Sequence, residues 1–297
     1  MTFGAFMSVF RSEMNSFIVH LFKTEWYNEQ IQMNLGARIN QITTGQLNKF
    51  YFNFPSIPEQ QKIASFFTAI DQKISQLKQK KTLLEQYKKG VMQKIFSQEI
   101  RFKDDNGKEF PKWEKKRLGN LLVERNTQAS KSDNYPLMAF IANKGVAEKG
   151  ERYNREFLVN DEDNKKYKQT EYGDFIYSSN NLETGSIGLN SFGSASISPV
   201  YSIFKIRESC NIQFLNSFLV RNSFIKKMTK YRQGVVYGQW RIHESDFLKI
   251  EESIPSLEEQ TKIANFLSAI DNKIDHTLTQ IKKAELWKKG LLQKMFV

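Results

Sequence analysis

Residues 55–96 recur two hundred positions later as residues 255–296, aligned from end to end without a gap. PSIPEQQKIASFFTAIDQKI and PSLEEQTKIANFLSAIDNKI agree at most positions, EQYKKGVMQKIF matches ELWKKGLLQKMF, and twenty of the forty-two aligned positions are identical. A repeat of this length, separated by a dissimilar segment of domain size, indicates alternation of a shared element with a variable one. Solenoids stack short units directly, so that architecture is excluded.

Each copy opens with the spacing of a capping box, Ser56 with Glu59 and Ser256 with Glu259. In such a box the serine hydroxyl accepts from the backbone N–H three residues on, and the glutamate reaches back. Pro58 falls in the first turn, where its missing N–H costs nothing. Downstream, Ile63, Phe67, Ile70, Ile74, Leu77, Leu84, Val91 and Ile95 lie mostly on alternating steps of three and four. Ile263, Leu267, Ile270, Ile274, Ile281, Leu291 and Met295 follow the same track. This is a heptad-like seam, interrupted by Lys81 and Lys88 in one copy and thinned by Ala284 and Lys288 in the other. A helix of about 38 residues is about 57 Å long at 1.5 Å per residue, more than one small domain can bury. The obvious partner is the other copy, packed antiparallel. Gly90 and Gly290 interrupt the helical pattern and indicate either close helix approach or a local bend. The lysine clusters around 78–89 and 282–289 are read as solvated faces, with DNA or a partner subunit as the alternative.

After residue 96 the helical period ends and turn chemistry takes over, with Asp105, Asn106 and Gly107 marking a tight turn. Short β-rich runs, DFIY at 174–177 and VYSIFKI at 200–206, then alternate with Gly, Ser and Asn clusters, and a helix is predicted over 212–231. The fold expected is α+β: a mixed target domain with two long repeated helices packing as an antiparallel coiled coil. The segments are 1–53, 54–97 (first repeated helix), 98–253 (a complete domain) and 254–297 (second repeated helix).

A formal net charge of +12 favours a polyanionic partner, with nucleic acid ahead of a membrane surface. Loops of the central domain carry Arg152, Arg155, Lys165, Lys166, Lys168, Asn180 and Asn181, and then Arg232, Gln233, Tyr237, Gln239, Trp240 and Arg241. Arginine matches guanine O6 and N7, Asn or Gln matches adenine N6 and N7, and lysine matches phosphate. The run YRQGVVYGQWR adds glycines that admit close backbone approach, and is the leading candidate for base contact. The competing reading makes Tyr237 and Trp240 partly buried packing residues. The single cysteine, Cys210, excludes an intrachain disulfide. With no membrane-length apolar window and no export signal, the expected location is the cytoplasm.

On these residues the chain resembles the specificity (S) subunits of type I restriction-modification systems. The repeat, the KKGVMQKIF and KKGLLQKMF endings, and the EIRFKDDNGKEFPKWEKKRLGNL entry into the central domain carry that resemblance, which covers nearly the whole chain. It implies that each variable target recognition domain reads one half of a split site in double-stranded DNA, with the paired helices as spacer. Methyltransferase and restriction subunits would dock on this scaffold and supply the chemistry. S-adenosylmethionine, ATP and magnesium would then belong to those subunits, and this chain would hold no cofactor, no metal and no catalytic residue. The sequence carries no GxxxxGK[ST], no GxGxxG and no Asn-Pro-Pro-Tyr-like motif. His20, His243 and His276 are scattered, and the Glu114, Lys115, Lys116 tripeptide has no suitably spaced upstream acid.

The N-terminal residues echo the central domain, MSVFR matching YSIFK and NSFIV matching NSFLV at 216–220. Residues 1–53 are therefore expected to be the final third of a first target recognition domain. Three readings follow: a truncated specificity subunit, a recombination cassette, or a one-domain half that dimerises to read a symmetric site. The competing function is an interaction scaffold without productive DNA recognition.

Overall fold

The computed structural model describes residues 9–35, 42–148, 166–234 and 239–296. In chain order, α1 (Asn15–Leu21), α2 (Glu25–Asn34) and α3 (Thr44–Leu47) precede the long helix α4 (Ile57–Phe96). The β-rich stretch comprises β1 (Glu114–Arg117), β2 (Leu122–Glu124), β3 (Gln128–Ala129), β4 (Ala139–Ile141), β5 (Gly145–Ala147), β6 (Tyr167–Thr170), β7 (Phe175–Tyr177), β8 (Ile187–Leu189), β9 (Ala195–Ile197) and β10 (Ser202–Ile206). Then come α5 (Ile212–Leu219), α6 (Asn222–Thr229), β11 (Gln233–Gly234), β12 (Trp240–Arg241), α7 (Glu244–Lys249), β13 (Glu251–Ile254) and the second long helix α8 (Leu257–Met295). The chain forms two compact units, residues 1–90 with 270–297 and residues 91–269, and each long helix contributes to both.

In the first unit, α4 and α8 run antiparallel. As the α4 position falls from Lys88 to Lys78 to Asp71, the ionic partner on α8 rises from Asp271 to Glu285 to Lys288. Ile63, Phe67, Ile70 and Ile74 of α4 are buried with Leu292, Phe296 and, from α1, Phe17, Ile18 and Leu21. The seam departs from the heptad track at the end of α8: Leu292 and Phe296 are buried, while Met295 is exposed. From Ile281 to Leu292 is eleven residues, close to three turns of straight α-helix, so a period of 3.6 rather than 3.5 carries the apolar stripe there. A Cβ on Gly90 or Gly290 would meet no atom within 4 Å, which excludes close helix approach as their reason.

The reciprocal capping box does not form. Ser256 Oγ accepts from the Glu259 N–H at 3.4 Å, but the Glu259 carboxylate is taken by Arg101 and Trp113. What the two copies share is a glutamine clasp: Gln60 Nε2 donates to the Pro55 carbonyl at 2.8 Å, and Gln260 Nε2 to that of Pro255 at 2.9 Å.

The second unit is built on two antiparallel sheets, of order β2-β10-β7-β8 and β3-β6-β9, with β4-β5, β11-β12 and β1-β13 as separate pairs. Phe247 of α7 packs against the rings of Phe175, Tyr177, Phe204 and Phe224, all at most 1% exposed. The helix expected over 212–231 is two helices. Arg221 adopts extended backbone as the N-cap of α6, and its guanidinium lies 3.7 Å from the centre of the Phe218 ring and 4.9 Å from that of Phe96. That seat, completed by Glu252 at 3.4 Å, needs the chain to turn at 220–221. The turn at 104–108 forms as expected. Asp104 Oδ1 accepts from the N–H groups of Asn106 and Lys108, and Gly107 takes φ +79°. Each long helix also ends on a phenylalanine from a short one: Phe296 lies 5.1 Å from Phe17, and Phe96 5.3 Å from Phe218.

Candidate nucleic-acid interface

Two stretches that the sequence marks for base contact meet in the second unit. β11 and β12 pair antiparallel, Gln233 opposite Arg241 and Gly234 opposite Trp240. Against them lies the loop 178–186, which leaves β7 and returns as β8. Its turn requires glycine at 185: φ is +92°, and an added Cβ would stand 2.2 Å from the Asn143 side chain.

The loop and the hairpin are joined by backbone and side-chain bonds. Asn180 Oδ1 accepts from the Trp240 N–H at 2.6 Å, and Ser179 Oγ accepts from the Ile242 N–H at 3.0 Å. Arg232 donates from Nε to the Ser179 carbonyl at 2.8 Å and grips both oxygens of Glu183 at 2.6 and 2.7 Å. The bond to Arg232 holds the Glu183 carboxyl below the usual range.

These contacts sort the sequence candidates. The Arg232 guanidinium is occupied inside the protein, with its side chain 12% exposed. Lys168 is buried, donating to the Tyr201 carbonyl at 3.0 Å with Glu244 3.8 Å away, so its ammonium stands within the domain rather than on a surface that phosphate reaches. Lys166 and Asn181 are exposed. Gln233, Gln239, Trp240 and Arg241 form an open group on the hairpin, with Trp240 49% exposed and the Arg241 side chain 57% exposed. Trp240 is thus half-buried, with part of its indole open to solvent. Arg152, Arg155, Lys165 and Tyr237 lie outside the described residues.

Glu244, at the start of α7, sits behind Arg241 at 3.7 Å. Burial pushes its carboxyl up, but its own backbone N–H, the Ser202 hydroxyl, Lys168 and Arg241 together bring it below the ordinary range. It remains an anion that orients Arg241 without enclosing it. Sequence reasoning passed over Ser179, Glu183 and Glu244, which hold the open group in place. The only local signal was their position beside Asn180 and Arg241. No cluster of His, Cys, Asp and Glu suited to a metal ion occurs among the described residues.

A half-exposed indole flanked by amide and guanidinium groups can stack on or wedge against a base while its neighbours read edges in a groove. The family described as Type I restriction modification DNA specificity domain matches residues 2–86 and 111–286. The type I restriction enzyme MjaVIII specificity subunit of Methanocaldococcus jannaschii is 28% identical over 211 residues, 68% of this chain and 46% of that protein. The MjaIX specificity subunit of the same organism is 29% identical over 132 residues, 41% of this chain and 31% of that one. The chain thus spans less than half the length of both. The crystal structure of the type I restriction-modification system S subunit from M. genitalium shares the fold, with a TM-score of 0.56 at 15% identity over 95% of this chain and 72% of that one.

Proposed function

The chain belongs to the type I restriction modification DNA specificity domain family, and on that premise we propose that residues 98–253 read one half-site of duplex DNA for a type I restriction-modification complex. The observation that carries this reading is the open group on the hairpin, Gln233, Gln239, Trp240 and Arg241, held by Asn180, Ser179 and Glu244 while Arg232 is spent on Glu183. Arg241 and Gln239 read base edges, Trp240 supplies the apolar contact, and exposed lysines such as Lys166 neutralise phosphate. The paired long helices act as the scaffold on which methyltransferase and restriction subunits assemble. This chain is non-catalytic in that scheme, and S-adenosylmethionine, ATP and magnesium act on the other subunits. Residues 1–53 are the closing part of a first recognition domain, and the cytoplasm is the site of action.

The test is co-expression with a methyltransferase subunit followed by mapping of methylated adenines. Gln239→Ala with Arg241→Ala is expected to abolish or relax methylation at one half of the motif, since each bidentate base contact is worth about 1–3 kcal/mol of discrimination. Unchanged methylation with both residues replaced would overturn the assignment.

A further inference from the structure

The two copies of the repeat present the same glutamate in opposite surroundings. In the second unit Glu259 is fully buried beneath a strap formed by residues 101–117. Arg101 reaches its carboxylate through Nε at 3.2 Å and Nη2 at 2.7 Å, and Trp113 Nε1 donates to it at 3.0 Å. The Arg101 Nη2 also binds the carbonyls of Phe110 and Pro111, which closes the strap on itself. The strap ends as β1, paired with β13 in the register Glu114 opposite Ile254 through Arg117 opposite Glu251. Beneath it Ile254 and Ile95 are each 1% exposed.

At the equivalent positions of the first unit the seat is open. The Glu59 side chain is exposed and makes no hydrogen bond or ion pair among the described residues. Phe54, the counterpart of Ile254, is 52% exposed, and Met295, the counterpart of Ile95, is 38% exposed. Residues 51–54, which correspond to β13, form no helix and pair with no strand among the described residues. Between them lies a pocket of about 320 Å³ whose lining includes Phe17, Trp26, Phe54, Glu59, Lys294 and Met295. A hollow walled in part by Phe17, Trp26, Phe54 and Met295, with an unpaired carboxylate and a bordering segment that has no strand partner, offers the groups that the strap satisfies at Glu259.

We propose that the Glu59 seat binds, from a second polypeptide, a strap of the 101–117 kind: an arginine, then Phe-Pro-x-Trp nine residues on, then a short strand. The arginine and the indole N–H bind the Glu59 carboxylate, the aromatic rings fill the pocket against Phe54 and Met295, and the strand adds to residues 51–54. The counterpart of Glu114 then lies opposite Phe54. This interaction does not depend on DNA reading, and its test involves no DNA.

The probe is a labelled synthetic peptide with the sequence of residues 98–117, titrated into the full chain and followed by fluorescence anisotropy. Saturable one-to-one binding is expected, weakened at least about tenfold by Glu59→Ala in the chain, and equally by alanine at the Arg101 or Trp113 position of the peptide. Glu59 is exposed, so its replacement leaves the fold intact. Glu59→Arg in the chain should restore binding of a peptide carrying glutamate at the Arg101 position. Absence of binding would overturn the proposal. So would binding that Glu59→Ala leaves unchanged, because the peptide would then be displacing the chain's own strap at Glu259.

Discussion

Lys88 on α4 holds both carboxylate oxygens of Asp271 on α8, at 2.6 and 2.7 Å, and the repeat sets Lys288 against Asp71 with the helices exchanged. Two of the three lysines at seam positions, Lys88 and Lys288, are thus groups that bind one helix to the other, whereas Lys81 pairs with Glu85 of its own helix. Lys23 adds a weaker contact to Asp71 at 3.8 Å.

Each of these ion pairs is partly exposed, Asp271 at 47% and Asp71 at 39%, so the energies are modest. A double-mutant cycle on Lys88→Met and Asp271→Asn, read by urea denaturation, should give a coupling of about 0.5–1 kcal/mol. The coupling should shrink in high salt.

The first unit should weaken in mild acid. His20 is 3% exposed, its Nδ1 has no hydrogen-bond partner, and its ring lies 5.2 Å from that of Phe67. Burial, Lys23 and Lys288 lower its pKa, against the raising effect of Asp71. A folded pKa below the unfolded value of about 6.5 means the unfolded chain binds more protons, so stability is full above that pH and falls as pH drops through it. Asp71, raised by burial but lowered overall by Lys288, Lys23 and His20, adds a second loss below pH 3.8. Urea midpoints measured from pH 8 to 5 should decline in the wild type and run flatter in His20→Phe.

Replacing the same glutamate in the two repeats should have unequal effects. Glu259→Ala leaves Arg101 and the Trp113 N–H without their shared acceptor under a closed strap, and should cost about 3 kcal/mol. Glu59→Ala should fall within about 0.5 kcal/mol of wild type. Equal losses in chemical denaturation would contradict the two environments.

Alanine at either helical glycine should stabilise. Gly90 and Gly290 have open space where a Cβ would stand, so Gly90→Ala and Gly290→Ala should each add up to about 1 kcal/mol by helix propensity. Thermal denaturation of the single and double variants checks this, with near-additive gains expected.

On the hairpin, stability and recognition should separate. Arg232→Ala removes the grip on Glu183 and Ser179 and should lower stability by about 1 kcal/mol, the exposure of Glu183 limiting the loss. Gln239→Ala should leave the unfolding midpoint unchanged, because the amide is exposed. Protease susceptibility at 178–186 should rise only in the first variant.

The long helices and their pairing were legible because a gapless repeat and an apolar period of three and four express backbone geometry directly. The break between α5 and α6 was not, since apolar residues keep helical spacing on both sides and Arg221 turns the chain only when Phe96 and Glu252 are present to receive it. Arg232 and Arg241 stand in one run of sequence, and nothing local says which is spent. Glu183, which decides it, lies 49 residues before Arg232. Likewise Glu59 and Glu259 share their local sequence, and only the strap above one of them makes the difference.

The reciprocal lysine–aspartate pairs also govern how the gene can change. The span from 71 to 88 in one helix faces the span from 271 to 288 in the other, each about 25 Å at 1.5 Å per residue. One residue inserted within either span would turn its far end by about 100° and release an ion pair along with part of the apolar stripe. Only a matching insertion in the other copy would restore both, so the two repeats can change length only together, and their alignment without a gap is the trace of that constraint.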